Sequence, residues 1–173
     1  MKRILIAGIG NIFHGDDAFG CEVVRELNRR PLPEEVTVTD FGIRSYDLVY
    51  ALTDNFDAVI LVDATPRGTA PGTLYLIDPE LDGFKELEST SLDAHTMNPV
   101  LVLETARLVG NLCPKLFLVG CEPEAGTAET ERMGLSPKVQ AAVPEAATMV
   151  VALVENLLST NQHEPKVAGP VPA

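Results

Sequence analysis

Cysteine is scarce in this chain of 173 residues: Cys21, Cys113 and Cys121 are odd in number, widely spaced, and include no C-x-x-C pair. That excludes a disulfide framework and a zinc knuckle, and leaves buried apolar thiols as the reading. Basic residues are also few. Lys and Arg total 13 against 25 Asp and Glu, a net charge of −12, so no basic patch is available for nucleic acid or an anionic membrane. No uninterrupted apolar run approaches the roughly 20 residues of a membrane span. The opening Met1-Lys2-Arg3 and Ile4 to Ala7 resemble an export signal only superficially. The run is too short and ends in Gly8-Ile9-Gly10, followed by the acidic pair Asp16-Asp17, which suits a buried first strand better. A cytoplasmic protein that meets neither membrane nor nucleic acid is expected.

What is present is an ordinary globular balance, 46% hydrophobic and 22% charged, in a length that fits one domain with its own core. The domain is expected over residues 1–158. The stretch 159–173 holds three prolines and little apolar content, and reads as a flexible tail.

Three runs, Arg3 to Ala7, Asp57 to Val62 and Lys115 to Val119, are nearly continuous in aliphatic and β-branched residues, as strands covered on both faces are. Val36 to Thr39 alternates like an outer strand. Phe19, Val23, Val24 and Leu27 form an apolar stripe opposite Glu22, Arg25, Glu26 and Arg29, a helix with Asp16 placed to cap it. Further helices are predicted from about Ser45 to Leu52, from Asn98-Pro99, and from Ser136-Pro137, with a break at Pro144 and a longer helix from there to about Leu158. Alternating strands and helices imply right-handed parallel β-α-β units. Between Asp63 and a strand at Thr73 to Ile77 there is no room for a crossover helix, so that strand is expected antiparallel. The fold class is therefore α/β: three layers, a mostly parallel twisted sheet with one antiparallel strand, and helices on both faces.

Ligands in such sheets gather beyond the carboxyl ends of the strands, where strand order reverses. The first strand leads there through Gly8-Ile9-Gly10-Asn11 to Asp16-Asp17, and the third ends in Val62-Asp63-Ala64. If the strand order is 2-1-3, Asp17 and Asp63 project into one crevice. The loop Ser91 to Met97 brings His95, while His14 sits in the Gly-Asn loop and His163 in the tail. Two carboxylates and an imidazole suit a borderline divalent ion such as nickel or zinc. Each residue also has an ordinary explanation: helix-end electrostatics for Asp17, loop amides for Asp63, a surface position for His95. A dinucleotide site is a poor match, because Phe13 stands where G-x-G-x-x-G needs its third glycine and two carboxylates would repel a pyrophosphate.

The run Gly8-Ile9-Gly10-Asn11-Ile12-Phe13-His14-Gly15-Asp16-Asp17-Ala18-Phe19-Gly20 resembles the opening signature of the hydrogenase maturation proteases, which process nickel-iron hydrogenase large subunits. Val62-Asp63-Ala64, Pro71-Gly72-Thr73, the His95 loop, Leu118 to Glu124 and Gly134-Leu135-Ser136-Pro137 are similar in order and spacing. The resemblance implies that Asp17, Asp63 and His95 form a metal-reading catalytic site. It also implies a monomeric endopeptidase whose partner is the precursor of a nickel-iron hydrogenase large subunit. The nickel is carried by the substrate, and the C-terminal extension is removed after nickel insertion; zinc or another divalent ion is an alternative in vitro. Asp40-Phe41-Gly42-Ile43 departs from the Asp-Gly-Gly-Thr of many members. The contrasting reading is a non-catalytic nucleotide- or metal-binding module on a doubly wound scaffold, and stabilisation by NAD or FAD with no response to nickel or zinc would mark it.

Overall fold

The computed structural model of the protein describes residues 2–78, 99–110, 113–127 and 131–160. In chain order the elements are β1 (Ile4–Ile9), a 3-10 turn (Gly15–Ala18), α1 (Phe19–Leu27), β2 (Val36–Gly42), α2 (Ser45–Leu52), β3 (Ala58–Ala64), β4 (Leu74–Ile77), α3 (Pro99–Val109), β5 (Leu116–Cys121) and α4 (Pro137–Ser159). The five strands lie in the order β2-β1-β3-β5-β4. All pairs are parallel except β4 with β5, where Leu74 faces Cys121 and Ile77 faces Leu118. The antiparallel strand falls where the short connection after Asp63 requires it, at the edge beside β5. The 2-1-3 order is present, and the strand reversal beside β1 opens a crevice at the carboxyl edge.

Alternation along the buried strands divides the core in two. Ile4, Ile6, Ile60 and Val62 pack with α1 and α4, burying Phe19, Val23, Leu27, Val139, Ala146 and Val150. Leu5, Ala7, Val59 and Leu61 face the other way, against Leu48 and Leu52 of α2 and Leu103 and Ala106 of α3. Every residue of β1 and β3 is buried, the continuous apolarity of strands covered on both sides. In β2, at the sheet edge, only Phe41 is buried.

The predicted break at Pro144 does not occur: α4 is one helix of 23 residues with Pro144 inside it. Proline withholds an N–H from the carbonyl of Gln140. Gln140 and Pro144 are both on the exposed side, so water can serve that carbonyl. Val139, Ala142 and Val143 before the proline, and Ala146, Ala147 and Val150 after it, hold both halves on the sheet. Arg30 braces the turn from outside, donating from Nη2 to the Pro144 carbonyl and from Nη1 to Thr148 Oγ1, each at 3.0 Å. By length and composition alone, with mean hydropathy 1.5, α4 would also pass as a membrane span, which the run-length reading of the sequence misses. Its buried face is part of the core.

Helix α1 lies almost on the backbone of the sheet. A Cβ built at Gly20 would stand 2.2 Å from the Val62 carbonyl oxygen and 2.3 Å from that of Ile9. Both contacts are backbone, so neither can yield without moving a strand. Gly20→Ala is therefore expected to cost about 2–3 kcal/mol, read as a lower urea midpoint with unchanged slope. A change within about 0.5 kcal/mol would contradict this packing.

Candidate active site

Beyond β1 the chain folds back on itself. Gly10 has φ 136°, and a Cβ there would lie 1.7 Å from the Asp17 carbonyl oxygen, so this turn admits only glycine. The Gly10 N–H donates to the Gly42 carbonyl at 3.1 Å, and the Asn11 N–H to Asp17 Oδ2 at 2.7 Å. The 3-10 turn then presents two neighbouring acids to different surroundings. Asp16 is wholly buried, whereas Asp17 is half-buried.

Asp63 is the next-to-last residue of β3, beside Gly120 of β5, and is only 4% exposed. Burial pushes its pKa well above the usual carboxylate range, the negative charge of Asp17 pushes it further, and the Ala64 N–H offsets part of this. Burial also raises the pKa of Asp17, while the Asn11 N–H and the charge of His14 pull it back. The better-supported Asp17 ionises first, and its charge then opposes ionisation of Asp63. Asp17 in the 3-10 turn and Asp63 near the end of β3 are thus electrostatically coupled.

The surroundings were less legible. Cys21 is buried, donates its S–H to the Gly10 carbonyl at 3.5 Å, and has its pKa driven far up by burial first and then by Asp40, Asp17 and Asp63. It is an inert neighbour of three acids. A cavity of about 330 Å³ opens beside it, lined by Asn11, Phe13, Cys21, Asp40, Phe41 and Arg44 among others. Its wall is held by Asp40 Oδ1, which accepts the Gly42 N–H at 2.9 Å, and by Arg44, which donates to the carbonyls of Asp40 and Phe41. Cys121 is a buried thiol whose pKa burial, with Asp16 and Glu122, pushes up to about 12.

Asp16 does not cap α1. Its carboxylate accepts from the Ser136 N–H at 2.6 Å, Ser136 Oγ at 2.9 Å and the Glu124 N–H at 2.8 Å, and shares the Thr127 hydroxyl, 3.2 Å away, with the Glu124 carbonyl at 2.7 Å. The reading as a cap fails because a fully buried carboxylate needs more donors than one helix end supplies. Glu122, which sequence reasoning missed, is a third buried carboxylate among the described residues, after Asp16 and Asp63. It accepts the N–H groups of Arg67 and Gly68 at 2.8 and 3.0 Å and the Tyr75 hydroxyl at 2.7 Å. Burial raises its pKa, but these donors outweigh burial and lower it overall. The position just after an apolar strand, the same signal that marks Asp63, could have found it.

His95 lies outside the described residues, as do Asp93, Asn98 and His163. Among the described residues no group of three or more His, Cys, Asp or Glu is arranged to hold a metal ion. Two acids are brought together, and a hard or borderline cation is the partner that would relieve their repulsion.

Unfolded, Asp63 ionises near pH 3.9; folded, it keeps its proton to higher pH. Within that window the folded state binds more protons, so stability falls as pH rises. Asp63→Asn is expected to flatten this dependence and to gain in Tm relative to wild type as pH rises through that window. Thermal melts between pH 4 and 8 check it, and a variant that follows the wild-type slope would contradict it.

The chain matches the family model of the hydrogenase maturation proteases (HycI) over residues 21–153. It is 33% identical over 155 residues to a putative hydrogenase maturation protease of Methanocaldococcus jannaschii, covering 89% of this chain and 97% of that protein. It is 33% identical over 153 residues to the hydrogenase 2 maturation protease of Escherichia coli, covering 87% and 89%. The solved structure of the hydrogenase maturating endopeptidase HybD from E. coli superposes with a TM-score of 0.77 at 31% identity, over 90% of this chain and 93% of that one. A [NiFe] hydrogenase maturation protease HycI from Thermococcus kodakarensis shares the fold, with a TM-score of 0.63 at 24% identity over 90% and 94%. With three-quarters of its length inside the family model and near full-length relatives on either side, the chain belongs to the hydrogenase maturation protease family and is an endopeptidase.

Proposed function

We propose that this endopeptidase removes the C-terminal extension of a nickel-iron hydrogenase large-subunit precursor after nickel has been inserted. Asp17, Asp63 and His95 read the nickel that the precursor carries. The observation behind this reading is the coupled acid pair, Asp63 buried near the end of β3 with its ionisation opposed by burial and by the charge of Asp17. A cation delivered into the crevice turns that repulsion into attraction on both carboxylates, and an imidazole from His95 completes a mixed oxygen and nitrogen set suited to nickel. The similar E. coli protein is named for the maturation of hydrogenase 2, the same class of substrate.

On this reading the metal is part of the substrate. Docking it at the strand ends places the peptide bond beyond the metal-binding segment beside the two acids, and positioning supplies much of the rate enhancement. The cavity between the Asn11 and Phe41 loops gives space for the chain flanking that bond. Precursor without nickel lacks the group that anchors it and is not cut. The enzyme acts as a cytoplasmic monomer, and zinc can stand in for nickel in vitro.

Incubation of an unprocessed large subunit with the enzyme, with and without nickel, tests this. Wild type is expected to cut only the nickel-loaded form. Asp17→Asn, Asp63→Asn and His95→Ala are each expected to lower the rate at least about a hundredfold. Cleavage of nickel-free precursor, or unchanged rates in the three variants, would remove the assignment.

A further inference from the structure

We infer that Asp16 is a positioning residue for Asp17: its buried carboxylate locks the site loop onto the chain that leads from β5 into α4. This rests on the reading of Asp17 as a ligand to the precursor's nickel.

The four hydrogen bonds to Asp16 come from Glu124, Thr127 and Ser136, residues 108 to 120 positions away in sequence. Ser136 occupies the N-cap position of α4, yet its hydroxyl makes no cap bond and goes to Asp16 instead. The clamp has a backbone half as well. The Gly15 N–H donates to the Arg132 carbonyl at 2.7 Å, and the Arg132 N–H donates to the Phe13 carbonyl at 3.0 Å. Gly15, at φ 53°, packs so close to Thr127 that a Cβ would stand 2.9 Å from its carbonyl oxygen. The loop from Phe13 to Asp16 is thus fixed at both ends to one distant segment, and Asp17 follows directly.

The chemistry at position 16 is specific. Oδ1 receives one donor and Oδ2 three, so both oxygens act as acceptors. An asparagine would turn its NH₂ toward at least one donor, leaving a buried clash in place of a hydrogen bond. The 3-10 turn would then shift, and the Asn11 N–H, which reports the place of Asp17 through its 2.7 Å bond to Oδ2, would lose its partner.

The test uses the full chain at 20 °C, with Asp16→Asn, Thr127→Val, Asp17→Asn and the core truncation Val154→Ala. Thr127→Val keeps the carboxylate and removes the hydroxyl that Asp16 shares with the Glu124 carbonyl. Val154→Ala lies in α4 and controls for stability loss. Amide exchange and chemical shift of Asn11 are measured by NMR, together with kcat/KM on nickel-loaded precursor. Asp16→Asn is expected to lower protection at Asn11 and kcat/KM each at least about tenfold while β1 amides keep theirs; Thr127→Val moves both a few-fold; Val154→Ala lowers Tm and moves neither. The inference is overturned if Asp17→Asn loses activity but Asn11 and kcat/KM stay at wild-type values in Asp16→Asn, or in Thr127→Val should Asp16→Asn fail to fold. Wild-type kcat/KM in Asp17→Asn would instead overturn the reading of Asp17 on which the inference rests.

Discussion

A carboxylate with no access to water must draw all its hydrogen bonds from the protein, and it destabilises the fold wherever those are missing. Asp16 draws four, from one loop and the helix end that follows it, both distant in sequence. This requirement ties the opening loop to the connection between β5 and α4, alongside the backbone bonds of Gly15 and Arg132. Helix α1 is fixed just as tightly from the other side, where Gly20 brings it onto the strand carbonyls. Between these two constraints Asp17 has little freedom, and a half-buried acid can stand beside a buried one.

That arrangement runs against stability. Two carboxylates at the sheet edge, one of them 4% exposed, raise each other's free energy once charged, and a packed apolar pair would be better for folding alone. The neighbouring buried acids show the contrast. Glu122 has hydroxyl and amide donors enough to lower its pKa despite burial, whereas Asp63 has one backbone N–H against burial and the charge of Asp17. Within one strip of sheet edge, Glu122 is tied into the fold by its donors, while Asp63 has little to offset burial and the charge of Asp17; on the proposed reading a substrate-borne cation supplies that offset. Local rules broken without compensation inside the protein mark a functional site.

Much of this was legible in the sequence. Strands buried on both faces read as unbroken aliphatic runs, and the short segment after Asp63 dictated an antiparallel strand. The acid positions followed from strand ends plus the 2-1-3 order. Pro144 misled because the pattern does not reveal that Gln140 and Pro144 both face solvent, where a lost helical bond is cheap. Asp16 misled for a different reason: a helix start suggests a cap, and nothing local announces donors more than 100 residues away. Cys21 was readable as a buried thiol, but its place among Asp17, Asp40 and Asp63 depends on how the β1 and β2 loops meet. His95 stands on the family resemblance and lies outside the described residues.

The proposed function requires Asp17 and Asp63 to form one coupled site able to share a cation. Titration of their side-chain carboxyl carbons by ¹³C NMR, in wild type and in Asp17→Asn, with and without zinc as a diamagnetic substitute for nickel, addresses it most directly. Asp63 should titrate well above the ordinary carboxylate range, fall when Asp17 loses its charge, and ionise at lower pH when the cation is added. An Asp63 that titrates in the ordinary range and responds to neither change would contradict the account.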